Sequence, residues 1–174
     1  MDYILSLDQS LPDDILFSVL KSPYLDQAPM LRLFISKGAN TRVVSIVGNN
    51  LLHDAIFSLS HMSSVLDMET VVEILVNNGC DAFALNSGGK TPLHLAVEQK
   101  AYSVVEYLLS LANVPDLPAD LLTCALDEKF DWYGPLASMP TLMLLRLLIG
   151  KGANTLVRAA DGSTLLHMAI KNCK

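Results

Sequence analysis

Two short phrases recur along this chain at one fixed separation, and that separation limits what it can fold into more tightly than its composition does. Lys37-Gly38-Ala39-Asn40, Asn78-Gly79-Cys80-Asp81 and Lys151-Gly152-Ala153-Asn154 are versions of the first phrase. Asn50-Leu51-Leu52-His53, Thr91-Pro92-Leu93-His94 and Thr164-Leu165-Leu166-His167 are versions of the second. Fifteen positions separate Gly38 from His53, Gly79 from His94 and Gly152 from His167, and a further glycine stands five before each histidine, at Gly48, Gly89 and Gly162. Agreement in register at three places marks a repeat array, whose units bury their apolar faces only against one another.

The spacing has a mechanical reading. Gly38, Gly79 and Gly152 follow apolar helical runs, where a left-handed residue ends a helix. The second glycine supplies the positive φ of a tight turn, and Thr91-Pro92 then opens a helix, with proline at a position that needs no backbone donor. Leu93, Ala96 and Val97 form one apolar stripe at helical spacing, and Val104, Val105, Leu108 and Leu109 form a second, with a short turn at Lys100 between them. Each unit is predicted to run helix, turn, helix, followed by a β-like finger that leads to the next pair.

Gly89-Lys90-Thr91-Pro92-Leu93-His94-Leu95-Ala96 resembles the ankyrin repeat signature T-P-L-H-x-A. The stretch from Asn86 to Ala112 is similar to a unit of that family along its whole length, in the manner of fungal-type and other eukaryotic arrays. The resemblance implies an all-α solenoid of antiparallel helix pairs joined by β-hairpin-like fingers. It also implies a non-catalytic scaffold that binds a protein or peptide on the concave face of fingers and first helices. His53, His94 and His167 would tie the turn by hydrogen bonds, as the family's histidines do.

Departures from the pattern set the expected organisation. A family unit runs about 33 residues, yet Gly38 and Gly79 are 41 apart and Gly79 and Gly152 are 73 apart. The first excess falls between Ser58 and Asp67 and reads as a loop insertion between helices. The second hides a degenerate unit that starts at Leu117-Pro118-Ala119-Asp120-Leu121-Leu122, with Thr123 in the histidine position and a long interhelical segment from Glu128 to Pro140. Leu11-Pro12-Asp13-Asp14-Ile15-Leu16 matches that start, and Tyr3 to Leu7 matches Tyr107 to Leu111. Residues 1–174 are expected to form one repeat domain: a partial helix at 3–10, units at 11–44, 45–85, 86–115 and 116–158, and the first helix of a fifth at 159–174. Both ends read as cut inside a unit, so a longer array is expected.

Composition narrows the function. Twelve Lys and Arg against eighteen Asp and Glu give a formal charge of −6, which argues against a phosphate-binding surface and so against nucleic acid. The longest apolar run, Leu142 to Ile149, is broken by Arg146 and falls far short of the roughly 20 residues that cross a bilayer. The N-terminus, acidic at Asp2 and Asp8, is unlike a signal peptide. Cys80, Cys124 and Cys173 are odd in number and sit in apolar runs, as reduced thiols of an intracellular, cytoplasmic protein do. Repeated histidines about 10 Å apart across stacked helices cannot share one metal at ligand distance, and His61 reads as a solvated loop residue. No thiol has an activating context, and Gly88-Gly89-Lys90 lacks phosphate-loop spacing. No enzyme, cofactor or metal site is expected.

The partner surface follows from the resemblance, position by position. It takes in Ser87, Gly88, Lys90, Glu98 and Gln99 of the best-matching unit, and Ile46, Val47, Asn49 and Phe57 before it. Asp127 and Glu128 follow in the degenerate unit, and Ala160, Asp161 and Ser163 in the last one. Ile46, Val47 and Phe57 would seat an apolar anchor or else stack on an adjacent unit, while Glu98, Asp127 and Glu128 would steer a basic segment. Trp132 and Tyr133 either cover their own helix pair or form a contact outside the concave face. The expected partner is a protein or peptide, met by a monomer within a longer chain. The rival expectation is a structural or regulatory arm of a larger signalling protein, packed against its own domains.

Overall fold

The computed structural model describes residues 11–22, 26–60, 65–111, 117–126 and 139–171. Within them the helices are α1 (Ile15–Lys21), α2 (Gln27–Ser36), α3 (Leu51–Ser60), α4 (Val65–Asn77), α5 (Pro92–Glu98), α6 (Tyr102–Ser110), α7 (Leu121–Leu126), α8 (Met139–Gly150) and α9 (Leu165–Lys171). The first helices α1, α3, α5, α7 and α9 stack side by side in one layer, and the second helices α2, α4, α6 and α8 in another. Extended pairing among the described residues is confined to isolated antiparallel bridges, Val44 with Asn50 and Arg158 with Thr164, at the necks of two fingers.

Local chemistry explains the start of α5 and the ends of α4 and α5. Thr91 caps α5 through its side chain while the His94 imidazole reaches back to the Thr91 backbone, and Pro92 occupies the first turn. At the far end of α4, Cys80 N donates to Leu75 O at 3.0 Å and Gly79 N to Val76 O at 3.0 Å. That closure needs the left-handed backbone which Gly79 adopts with φ of 85°. Lys100 makes the same closure between α5 and α6 with φ of 57° and no glycine. Its Nζ donates to Ala125 O at 2.9 Å, a link to α7 that glycine could not supply.

The core runs unbroken between the layers. Leu16 and Leu20 of α1, Leu51, Leu52 and Ile56 of α3, Leu75 of α4, Leu108 of α6, Leu121 and Leu122 of α7, and Leu144 and Leu148 of α8 are fully buried. Each contributes roughly 1.5–3 kcal/mol relative to exposure. Leu52 and Ile56 of α3 correspond by register to Leu93 and Val97 of α5, which are equally covered, and to Leu166 and Ile170 of α9, which are exposed at 69% and 61%.

The described residues of the stretch from Ser58 to Asp67, expected as a loop insertion, are helical. α3 runs on to Ser60 and α4 begins at Val65, so the extra length goes into two longer helices. In the degenerate unit α8 begins at Met139, within the expected interhelical segment. The expected partial helix at 3–10, together with His61, Asp127, Glu128, Trp132, Tyr133 and Cys173, lies outside the described residues.

Candidate protein-interaction face

Three fingers close with one turn. Gly48 N donates to Ser45 O, Gly89 N to Asn86 O and Gly162 N to Ala159 O, all at 2.9 Å. The first two fingers are also joined to each other, by Ser87 N to Val47 O at 3.1 Å and by Asn86 Nδ2 to Asn49 Oδ1 at 3.0 Å. This approach requires glycine at position 48, where a Cβ would lie 2.9 Å from both the N and the Oγ of Ser87.

A chain of polar contacts then ties the fingers to the first helices. Lys21 Nζ of α1 lies 3.4 Å from Asp54 Oδ2 of α3, and Asn49 Nδ2 of the first finger donates to Asp54 Oδ1 at 2.9 Å. From Asn49 it passes to Asn86, whose Oδ1 accepts from Lys90 N at 3.0 Å, and the Lys90 ammonium pairs with the carboxylate of Glu98 at the end of α5. That hydrogen bond holds the Lys90 ammonium above its ordinary pKa.

Glu98 was expected as an exposed, steering charge, and here the structure differs. It is buried, at 6% exposure, and neutralised by Lys90. The eight-residue separation hid the pair, because only the folded finger brings Lys90 back over the end of its own helix.

His53 and His94 each bond within their own unit through one ring nitrogen and to the next unit through the other. His94 Nδ1 accepts from Thr91 N at 3.0 Å, which leaves the proton on Nε2, and Nε2 lies 3.1 Å from Asp120 Oδ1. His53 Nδ1 accepts from Asn50 N at 3.3 Å, and its Nε2 donates to Lys90 O at 2.9 Å. Nδ1 also stands 2.7 Å from Asn50 Oδ1, and burial lowers the His53 pKa, which favours the neutral ring. His167 Nδ1 meets Thr164 Oγ1 at 2.7 Å, but the ring is exposed. His53 and His94 thus act as hydrogen-bonded struts with both ring nitrogens occupied.

The remaining expected surface residues divide by exposure. Ile46, Val47 and Phe57 are exposed, as are Ser87, Gly88, Ala160 and Asp161, while Asn49, Lys90, Gln99 and Ser163 are half-buried. The Ser163 backbone donates to Asp161 at 2.9 Å and holds that carboxyl below its usual range. Burial pushes the Cys80 thiol up to about 11. Sequence reasoning missed Asp54 and Asp120, which enter through contacts between units rather than through a motif. Asp120 alone carried a signal, since it occupies the capping position held elsewhere by Thr91 and Thr164. No helix among the described residues is long and apolar enough to cross a membrane.

Comparison with known proteins agrees with this geometry. A family model described as ankyrin repeats (3 copies) matches residues 24–117, more than half of the chain. Among curated proteins, the putative ankyrin repeat protein FPV219 of fowlpox virus (strain NVSL) is 25% identical over 167 residues, an alignment that takes in 83% of this chain. The chain spans 38% of the length of that relative.

Proposed function

This chain belongs to the ankyrin repeat family, and from that premise we propose that its fingers and first helices hold a protein or peptide partner. Ankyrin repeats are in general protein-interaction scaffolds and typically non-catalytic. The observation that carries the reading to this face is the polar chain from Lys21 through Asp54, Asn49 and Asn86 to Lys90 and Glu98. It fixes fingers and helices as one surface, while Ile46, Val47, Phe57 and Ser87 remain exposed. A surface already ordered before binding loses little entropy on association. Lys21 and Asp54, and Lys90 and Glu98, are spent on one another, so apolar anchors and backbone groups supply the contact beside them.

The test is affinity capture from a lysate of the natural source, with bound proteins identified by mass spectrometry. Ile46→Ser combined with Phe57→Ala should weaken capture about ten-fold or more, as loss of anchor residues does. Glu73→Gln combined with Glu106→Gln, on the outer helices, should leave it unchanged. Equal loss from both sets would overturn the assignment. Crosslinks confined to one longer polypeptide would assign the face to packing within that polypeptide instead.

A further inference from the structure

An open cleft lies at the base of the first two fingers, away from the residues assigned above. It has a volume of about 380 Å³, with Thr41, Arg42, Val44 and Asn50 on one side and residues 79–81 and Ala84 on the other. That size falls at the lower end of ligand-holding clefts, about 300–1,000 Å³.

Most polar groups in its walls are already engaged. Thr41 Oγ1 donates to Asn78 O at 2.7 Å, and Asn50 Nδ2 donates to Asp81 O at 2.6 Å. Asn50 Oδ1 accepts from Leu52 N at 3.1 Å. Cys80 is buried and protonated, and it serves as an apolar wall. Asp81 Oδ1 accepts from Phe83 N at 2.9 Å. The Arg42 guanidinium differs. It lies across Gly79, where a Cβ would stand 3.7 Å from Nη2, and it has no hydrogen-bond or ion-pair partner among the described residues. Val44 beside it is 65% exposed.

We propose that this cleft docks a partner polypeptide through one aliphatic side chain that carries a carboxylate beside it. The aliphatic group fills the space between Val44 and Ala84, and the carboxylate takes the fork of the Arg42 guanidinium, the geometry that arginine matches best. Asp81 repels the same carboxylate and so sets its position on the Arg42 side. The site is independent of the concave-face reading, and none of its residues belongs to the variants that test that reading.

N-acetyl-leucine, titrated into the full chain and followed by amide NMR shifts, is the probe. Saturable shifts should appear at Val44, Cys80 and Ala84. N-acetyl-leucinamide, which lacks the charge, should bind about three-fold more weakly, the scale of a partly exposed ion pair. Arg42→Gln should bring N-acetyl-leucine down to the level of the amide, Asp81→Asn should tighten it, and Ala84→Phe should abolish binding of both. Unchanged circular dichroism and melting would show that each variant is folded. Absence of shifts at these three amides up to tens of millimolar probe would overturn the proposal. So would an Arg42→Gln variant that binds as the parent does, or stronger binding of cationic leucinamide.

Discussion

His94 Nε2 donates to a side-chain carboxylate, Asp120 Oδ1 at 3.1 Å, where His53 one unit earlier donates to a backbone carbonyl, Lys90 O at 2.9 Å. The strut survives in the degenerate unit with a different acceptor. His94 is 3% exposed and also completes the cap of α5, so His94→Ala strands the buried Thr91 N donor, while the exposed Asp120 carboxylate turns to water. Its expected loss is about 1–3 kcal/mol in urea denaturation. Asp120, with a side chain 64% exposed, can be replaced by Ala at a smaller loss, because water takes over the Nε2 donor.

Stability should fall as the solution is acidified below pH 6.5, and His53 should account for part of the fall. Its folded pKa is lowered from 6.5 by burial, so the unfolded chain binds the proton more readily. The contribution is therefore complete above 6.5 and is lost as pH falls toward the folded pKa. Melting curves between pH 5 and 7.5, on the order of the imidazole range, should show a shallower dependence in His53→Ala than in the parent. An equal slope would assign the acid sensitivity to other groups.

Much of this was legible in the sequence because the relevant forces are local. Helix ends at Gly79 and Gly152, the cap at Thr91 and the apolar stripe from Leu93 to Val97 each depend on residues within one turn of one another. Registration between units was legible only through the repeat. Pairing across units was not, since Asp54 meets Lys21, and Lys100 meets Ala125, at separations set by the stacked helices. Glu98 illustrates the limit: its type and position suggested a solvated charge, and only the return of the finger over α5 buries it.

The two finger glycines should separate backbone strain from crowding. Gly48 and Gly89 have nearly the same φ, 72° and 71°, so alanine at either position meets a left-handed penalty of roughly 1–2 kcal/mol. Only at Gly48 would the new Cβ also press on Ser87, at 2.9 Å, whereas nothing lies within 4 Å of one at Gly89. Gly48→Ala should therefore melt well below Gly89→Ala. Equal melting temperatures would show that the two fingers can part without loss.

Lys90 and Glu98 should be worth more broken than removed. Lys90→Met leaves a carboxylate that is 6% exposed without its cation, and the expected loss is on the order of 1–3 kcal/mol. That is below the 3–5 typical of a fully buried pair, because the Lys90 side chain is 43% exposed and solvent screens its charge. Glu98→Gln should lose less, since an amide needs no counter-charge. The double variant Lys90→Met with Glu98→Leu should recover most of the loss, as an apolar pair replaces two desolvated charges. The pH dependence has the opposite sign to that of His53. The folded pKa of Lys90 is raised above 10.5, so its contribution is complete below that value and is lost as pH rises through the folded pKa. Urea midpoints for the four proteins at neutral pH, with the parent repeated above pH 10.5, form the measurement. A double variant as unstable as Lys90→Met alone would mean that the pair holds the finger against α5 by geometry that an apolar contact cannot replace.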